Sequence, residues 1–297
     1  VPALVGLAQA RVVLPNYAYM SGAKAQETID AALKAARHAL ELDPENAAAF
    51  AVIGWAKFQF EWRWTESETA LRHARDLAPN DSWNWNCLGD YYRFVVDLPK
   101  ALVAKQREWD LDPLSPNSHW DLGYLQLVAG NYDQAIHWSD LCIGLAPHNV
   151  DSYMPGILAA ARSGRFELMH QTFAAARRNV HEGEGMMLLL EANCAILEKK
   201  PDEARRLLAL AAPLAEAASA SPGYLGYCYL LLGDSDQASA WLQKGYDRHD
   251  PSLVWNEVID FEVIATNPKT RPLLDRPGIK ELYELRQRNA RAGLNKL

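Results

Sequence analysis

The chain has 297 residues, 49% of them hydrophobic, and 30 Lys and Arg against 37 Asp and Glu, a formal net charge of −7. The hydrophobic share excludes a disordered or fibrous chain, and the surplus of acid opposes a phosphate backbone, so no nucleic acid is expected as a partner through this region. No run approaches the ~18 apolar residues that span a bilayer, so no membrane span is expected either.

Val1 to Ala10 carry neither a basic stretch nor an initiating Met, and the chain is read as a processed fragment or part of a longer protein. A prior of one domain per ~150 residues suggests two domains. A period replaces that prior. Leu42-Asp43-Pro44, Leu77-Ala78-Pro79, Leu111-Asp112-Pro113 and Leu145-Ala146-Pro147 repeat one phrase, with the prolines 35, 34 and 34 residues apart. Ile53-Gly54, Leu88-Gly89, Leu122-Gly123 and Leu225-Gly226 keep the same beat.

In chain order, the units are expected near 13–44, 47–79, 82–113, 116–147, 150–181, 185–215 and 219–251, with a capping segment at 252–297. The first keeps Ala32, Ala39 and Pro44 and looks terminal. The second carries Phe58-Gln59-Phe60-Glu61-Trp62-Arg63-Trp64 at the turn between its helices, with Trp62 and Trp64 expected to plug the space over the second helix. In the third, Trp85, Leu88, Gly89 and Tyr92 fall on one face of a 3.6-residue helix, and a second helix stops at Pro113. The recurring Gly implies that the second helix approaches closely there, because Gly inside a helix costs about 1 kcal/mol against Ala. The fourth unit turns at Gly130-Asn131-Tyr132, the fifth keeps Tyr153, Gly164 and Phe173, the sixth keeps Ala204, and the seventh has Leu225, Gly226, Tyr229, Gly233 and Ala238. Near the end, Ile279, Leu282 and Leu285 alternate with charged residues, as a helix capping unit seven would.

This pattern resembles the tetratricopeptide repeat, a 34-residue helix–turn–helix with the signature W-x2-L-G-x2-Y…A…P; Trp85, Leu88, Gly89, Tyr92, Ala101 and Pro113 match it position for position. The aromatic turn of unit two and the C-terminal sequence also resemble the repeat region of bacterial adenylate/guanylate cyclase-like proteins and of membrane-anchored winged-helix transcription regulators. The resemblance implies an all-α fold, a right-handed α–α superhelix, serving as an interaction module of a larger signalling or regulatory protein. Self-association into a homo-oligomer, or a role as the signal-input domain of a cyclase or transcription regulator, is the alternative. A cytoplasmic location is favoured, with the periplasm as the alternative for a membrane-anchored parent.

The resemblance further implies a concave wall built from the first helices. Its positions here are Trp55 with Phe58, Trp83, Asn86, Asp90, Arg93, Asn117, Trp120, Tyr124, Asp151, Arg162, Asn193 and Tyr227. Aromatic groups with scattered amides suit a peptide or protein segment: Asn pairs with an extended backbone, and Trp or Tyr supplies contact area at low entropy cost. Trp85, Trp109 and Trp241 are expected in the core by register, while Trp83 and Trp120 are the better surface candidates. The wall includes no Lys, which argues against the two-carboxylate clamp used by some repeat proteins of this kind.

No nucleophile–base arrangement, H-E-x-x-H or phosphate-binding loop is present, so no enzyme activity, cofactor or metal is expected. His181-Glu182-Gly183-Glu184-Gly185 mixes metal-ligand types, but its glycines mark a loop between units. Cys87, Cys142, Cys194 and Cys228 stand 55, 52 and 34 residues apart, without metal-ligand spacing, and are expected to be buried free thiols.

Overall fold

Helices start here on polar caps. Asn46 and Asp81, each two residues after a unit-closing proline, accept hydrogen bonds from the backbone N–H of Ala49 (3.0 Å) and Trp83 (2.9 Å), and Ser221 accepts from Tyr224 (2.8 Å). These side chains satisfy donors that the first turn of a helix leaves open.

The structure, a computed structural model, describes residues 1–17, 22–181, 183–255 and 259–294. Its helices pair in chain order. The pairs are α1 (Pro2–Tyr17) with α2 (Gly22–Leu42), α3 (Ala47–Gln59) with α4 (Trp64–Leu77), α5 (Ser82–Phe94) with α6 (Leu98–Leu111), and α7 (Pro116–Val128) with α8 (Tyr132–Leu145). They continue as α9 (Met154–Arg162) with α10 (Phe166–Asn179), α11 (Glu184–Leu197) with α12 (Pro201–Glu216), and α13 (Pro222–Leu231) with α14 (Ser235–Asp247). A short α15 (Phe261–Thr266) and α16 (Ile279–Leu294) end the chain. The first pair begins at Pro2, earlier than the period indicates, because α1 lacks the Leu-Gly phrase yet buries Val5, Ala8 and Val12 at helical spacing.

The two helices of a pair face solvent differently. In α4 only the stripe Trp64, Ser67, Leu71 and Ala74 is buried, whereas α7 buries eight of its thirteen residues. Consecutive first helices (α1, α3, α5, α7, α9, α11 and α13) pack against one another and form the inner layer. The second helices cover them on the outside, giving an all-α superhelix.

From the second unit to the seventh, the turn inside the unit puts one residue in the left-handed region at a fixed register: Trp62 (φ 53°), Val96 (58°), Gly130 (78°), Gly164 (74°), Lys199 (61°) and Gly233 (80°). The following residue then closes the end of the first helix, as where Asp97 donates its N–H to Tyr92 O (2.9 Å) and Asn131 to Gln126 O (2.8 Å). Only glycine meets that demand without strain, yet three of the six turns use another residue.

Close approach explains the mid-helix glycines. A Cβ on Gly226 would lie 2.7 Å from the backbone N of Leu242 in α14, and one on Gly54 would lie 2.6 Å from Leu71 of α4. Gly123 differs, since its nearest neighbour is Pro155 of the following unit, at 3.1 Å, rather than its own second helix. All four cysteines are buried and free.

The C-terminal segment does more than cap unit seven. From α14 it passes through a 3-10 turn at Pro251–Val254 and returns to the early units. Trp64 Nε1 donates to Gly278 O (2.8 Å), Arg286 Nε to Phe94 O (2.8 Å), and Asn289 Nδ2 to Val95 O (2.8 Å). The imidazole of His249 donates from Nδ1 to Phe60 O (2.8 Å), and Gly22 N donates to Arg248 O (2.9 Å). Trp62 and Trp64 are both buried, and they form the surface on which this returning segment seats.

Candidate functional site

Nine of the wall residues meet in one cleft. Trp55, Trp83, Asn86, Asp90, Arg93, Asn117, Trp120, Tyr124 and Asp151 line a narrow cleft of about 50 Å3, together with Val13 of α1, Gln59, Asp121 and Trp255. Arg162, Asn193 and Tyr227 lie apart from it. They border a second, wider cavity of about 470 Å3 whose opposite side is Asp260, Phe261, Tyr283 and Arg286 of the returning segment. The C-terminal segment therefore faces the concave wall and contributes to both hollows.

The geometry of the first cleft follows from helix spacing. Trp83 of α5 sits beside Trp55 of α3, their rings stacked at 5.8 Å and 29°, because neighbouring first helices bring equivalent faces together. One helix further on, Trp120 meets Tyr124 edge-on at 5.0 Å. The guanidinium of Arg93 lies over Phe94 (4.3 Å), Trp120 (5.5 Å) and Tyr124 (5.7 Å). The indole Nε1 atoms of Trp55, Trp83 and Trp120 are buried without a hydrogen-bond partner among the described residues, as is Oε1 of Gln59.

Beneath the aromatic layer lies a cluster of charge. Lys105 of α6 is fully buried, and its Nζ stands 2.5 Å from Asp121, 2.9 Å from Asp90 and 3.2 Å from Glu108. Arg93 approaches Asp90 at 3.5 Å, Asn86 Nδ2 donates to Glu108 (3.0 Å), and Ser118 Oγ donates to the same carboxylate (2.9 Å). Burial works against the charge on Lys105, but the carboxylates of Asp121, Asp90 and Glu108 outweigh it and hold the ammonium above its usual range. Burial and the Asp90 carboxylate push the Asp121 carboxyl well above the usual range. Both directions have one source: three carboxylates share two cations, and such a cluster holds protons tightly.

Sequence reasoning missed Lys105, Glu108, Asp121, Gln59, Val13 and Trp255. A signal existed for three of them. Lys105 stands one period after Leu71, Glu108 one period after Ala74, and Asp121 one period after Cys87, all buried registers. The absence of Lys from the wall is true of the first helices, but a Lys from the second helix lies directly beneath it. Asn193 uses its amide on the buried hydroxyl of Tyr224 (3.0 Å). Among the tryptophans expected in the core, Trp241 is buried, whereas Trp85 and Trp109 are half-buried, because the outer helices that carry or flank them have a wet side. Glu182 of the mixed His/Glu loop lies outside the described residues.

The superhelix has solved counterparts. A tetratricopeptide repeat protein from Parabacteroides merdae aligns over 85% of this chain and 99% of its own length, with 12% identity and a TM-score of 0.57. Yeast Tom70 aligns over 98% of this chain and 64% of its own, with 15% identity and a TM-score of 0.57. Cut9–Hcn1, a hetero-tetramer of the APC/C, aligns over 88% of this chain and 52% of its own, with 16% identity and a TM-score of 0.55. No family model matches the chain, and no curated protein matches it by sequence. At these identities the likeness defines the fold, a solenoid of the tetratricopeptide-repeat type.

Proposed function

We propose that the chain is a non-enzymatic interaction module that holds a peptide or protein segment against its concave wall. The observation that carries this reading is the first cleft, where three tryptophans hold buried indole N–H groups without an acceptor among the described residues. A buried donor without an acceptor is costly, and the carbonyls of an extended backbone are natural acceptors for it. The fold supports the same reading, since repeat arrays of this type generally serve protein interaction, and Cut9–Hcn1 is itself an assembly of two proteins. The functional division is then 1–251 as the solenoid and 252–297 as a closing segment. Of the wall residues, Trp55, Trp83, Asn86, Asp90, Arg93, Asn117, Trp120, Tyr124 and Asp151 would act in the first cleft, with Arg162, Asn193 and Tyr227 in the second. The likeness of the unit-two turn and the C-terminal sequence to regions of bacterial regulators supports a place in a larger signalling protein.

The test is enrichment of capped hexapeptides from a randomised pool by immobilised protein. Wild type enriches a defined subset, and Trp120→Ala combined with Asn117→Ala abolishes the enrichment. Equal enrichment by both proteins discards the cleft as the binding surface.

A further inference from the structure

We infer that the first cleft takes one small neutral side chain of the bound peptide, a primary carboxamide as in asparagine or glutamine, held by Gln59 and by the indoles of Trp55 and Trp83. This rests on the peptide-binding reading above and adds what the peptide must carry.

Room comes first. The cleft of about 50 Å3 is several times the ~10–15 Å3 that one water needs, and about a third of the ~150 Å3 that admits a benzene ring. It therefore takes a group of about three heavy atoms and refuses an aromatic side chain.

Charge selects nothing there. Lys105 Nζ stands 2.5 Å from Asp121, 2.9 Å from Asp90 and 3.2 Å from Glu108, and Arg93 approaches Asp90 at 3.5 Å. These cations and carboxylates answer one another. A charged group on the ligand would be buried without a partner of its own, a cost that a neutral group avoids.

The third observation is a donor on the same helix face as an acceptor. Trp55 and Gln59 stand one turn apart on α3, both line the cleft, and they are 6% and 1% exposed. Nε1 of Trp55 and Oε1 of Gln59 are buried without a hydrogen-bond partner among the described residues. Trp83, stacked on Trp55 at 5.8 Å, adds a second indole N–H in the same state. A primary carboxamide is the complement: its oxygen has two lone pairs for the two indoles, and its NH2 donates to Gln59 Oε1. A carboxylate has no proton to give Gln59, and an ammonium or guanidinium has no lone pair for the indoles. An aliphatic side chain leaves all of these atoms unsatisfied, and a hydroxyl fills less of the space. The indole N–H of Trp120 is left to the main-chain carbonyls of the peptide.

The experiment uses the full chain and capped hexapeptide pools randomised at every position but one, which is fixed as Asn, Gln, Asp, Leu, Ser or Lys. Wild type is expected to enrich the better of the Asn and Gln pools about tenfold over Leu, the isostere of Asn without donor or acceptor, as one or two net hydrogen bonds allow. Gln59→Met, which keeps the side-chain length without the acceptor, shrinks that ratio at an unchanged thermal midpoint. Should it lose its helical signature, Trp83→Phe, which keeps a ring without the N–H, gives the same readout. Equal enrichment of the carboxamide and Leu pools means that solvent alone fills the cleft, and it overturns the carboxamide while leaving the peptide reading intact. Preference for Asp, Lys or Ser does the same, as does an undiminished ratio in both variants. Enrichment of no pool overturns both readings.

Discussion

The indole of Trp62 stacks on the imidazole of His249, with ring centroids 4.7 Å apart and planes at 21°. One residue belongs to the turn of the second unit and the other follows the last helix of the seventh, and both occupy the left-handed region, at φ 53° and 48°. Non-glycine residues persist there only where the surroundings over-determine them. In this case the surroundings are a junction between the two ends of the superhelix.

Removing that ring should loosen the junction. Trp62→Ala is expected to cost ~3–5 kcal/mol, the range for truncating a buried Trp. It should also speed amide exchange at Gly22, Leu282 and nearby positions on the returning segment before the inner helices exchange. Denaturant titration and hydrogen exchange read the two effects; uniform exchange across the chain would show that Trp62 is ordinary core.

The charge cluster gives an asymmetric prediction. Lys105→Leu leaves Asp90, Glu108 and Asp121 with only Arg93, and breaking a buried ion pair by removing one partner costs ~3–5 kcal/mol. Lys105→Leu combined with Glu108→Ala and Asp121→Leu returns these registers to the apolar or small residues of other units. That triple variant should regain most of the lost stability, because well-packed apolar replacements of buried ion clusters are often neutral or better. A triple variant no more stable than Lys105→Leu alone would contradict this account.

Asp121 sets the sign of a pH effect. Its folded carboxyl is pushed above the ordinary value of 3.8 by burial and by Asp90. The folded state therefore holds more protons than the unfolded chain above pH ~4. The stability from this group is complete below that pH and declines as pH rises through the folded value. Measured against Asp121→Asn, wild type should lose ground steadily from pH 4 upward in urea titrations. A wild type that gains on the variant over that range would mean a depressed carboxylate held by Lys105.

The turns offer a stabilising change. Lys199 is exposed and sits at φ 61°, where Gly130, Gly164 and Gly233 occupy the same register. A Cβ on any of those three would meet nothing within 4 Å, so the turn demands a backbone conformation rather than space. The left-handed region costs an L-residue ~1–2 kcal/mol, partly offset by the greater freedom of unfolded glycine. Lys199→Gly should raise the urea midpoint by the equivalent of ~0.5 kcal/mol with an unchanged slope, and Gly233→Ala should lower it. A fall for Lys199→Gly would show that its side chain contributes more than the conformation costs.

The inner and outer layers were legible because each unit repeats its neighbour at a fixed offset, so Trp83, Trp120 and Asn86 could be placed from Leu88 and Leu122 by register alone. The wall positions converge on the cleft for the same reason. Lys105 and Asp121 were legible only as departures from that register, visible once Leu71 and Cys87 are taken as the standard. The return of the C-terminal segment was not legible. The hydrogen bond from Arg286 to Phe94 O joins residues 192 apart without any period, and an amphipathic helix at 279–290 fits capping unit seven as well as seating on Trp64.

A row of repeats with two free ends melts from those ends, because terminal units have a neighbour on one side only. Gly22 bonded to Arg248, together with α16 seated on the second and third units, ties both ends of this array to other units. Opening an end unit then also releases a tie. The chain should therefore unfold in one cooperative step rather than in the graded series of an open array, with calorimetric and van't Hoff enthalpies that agree.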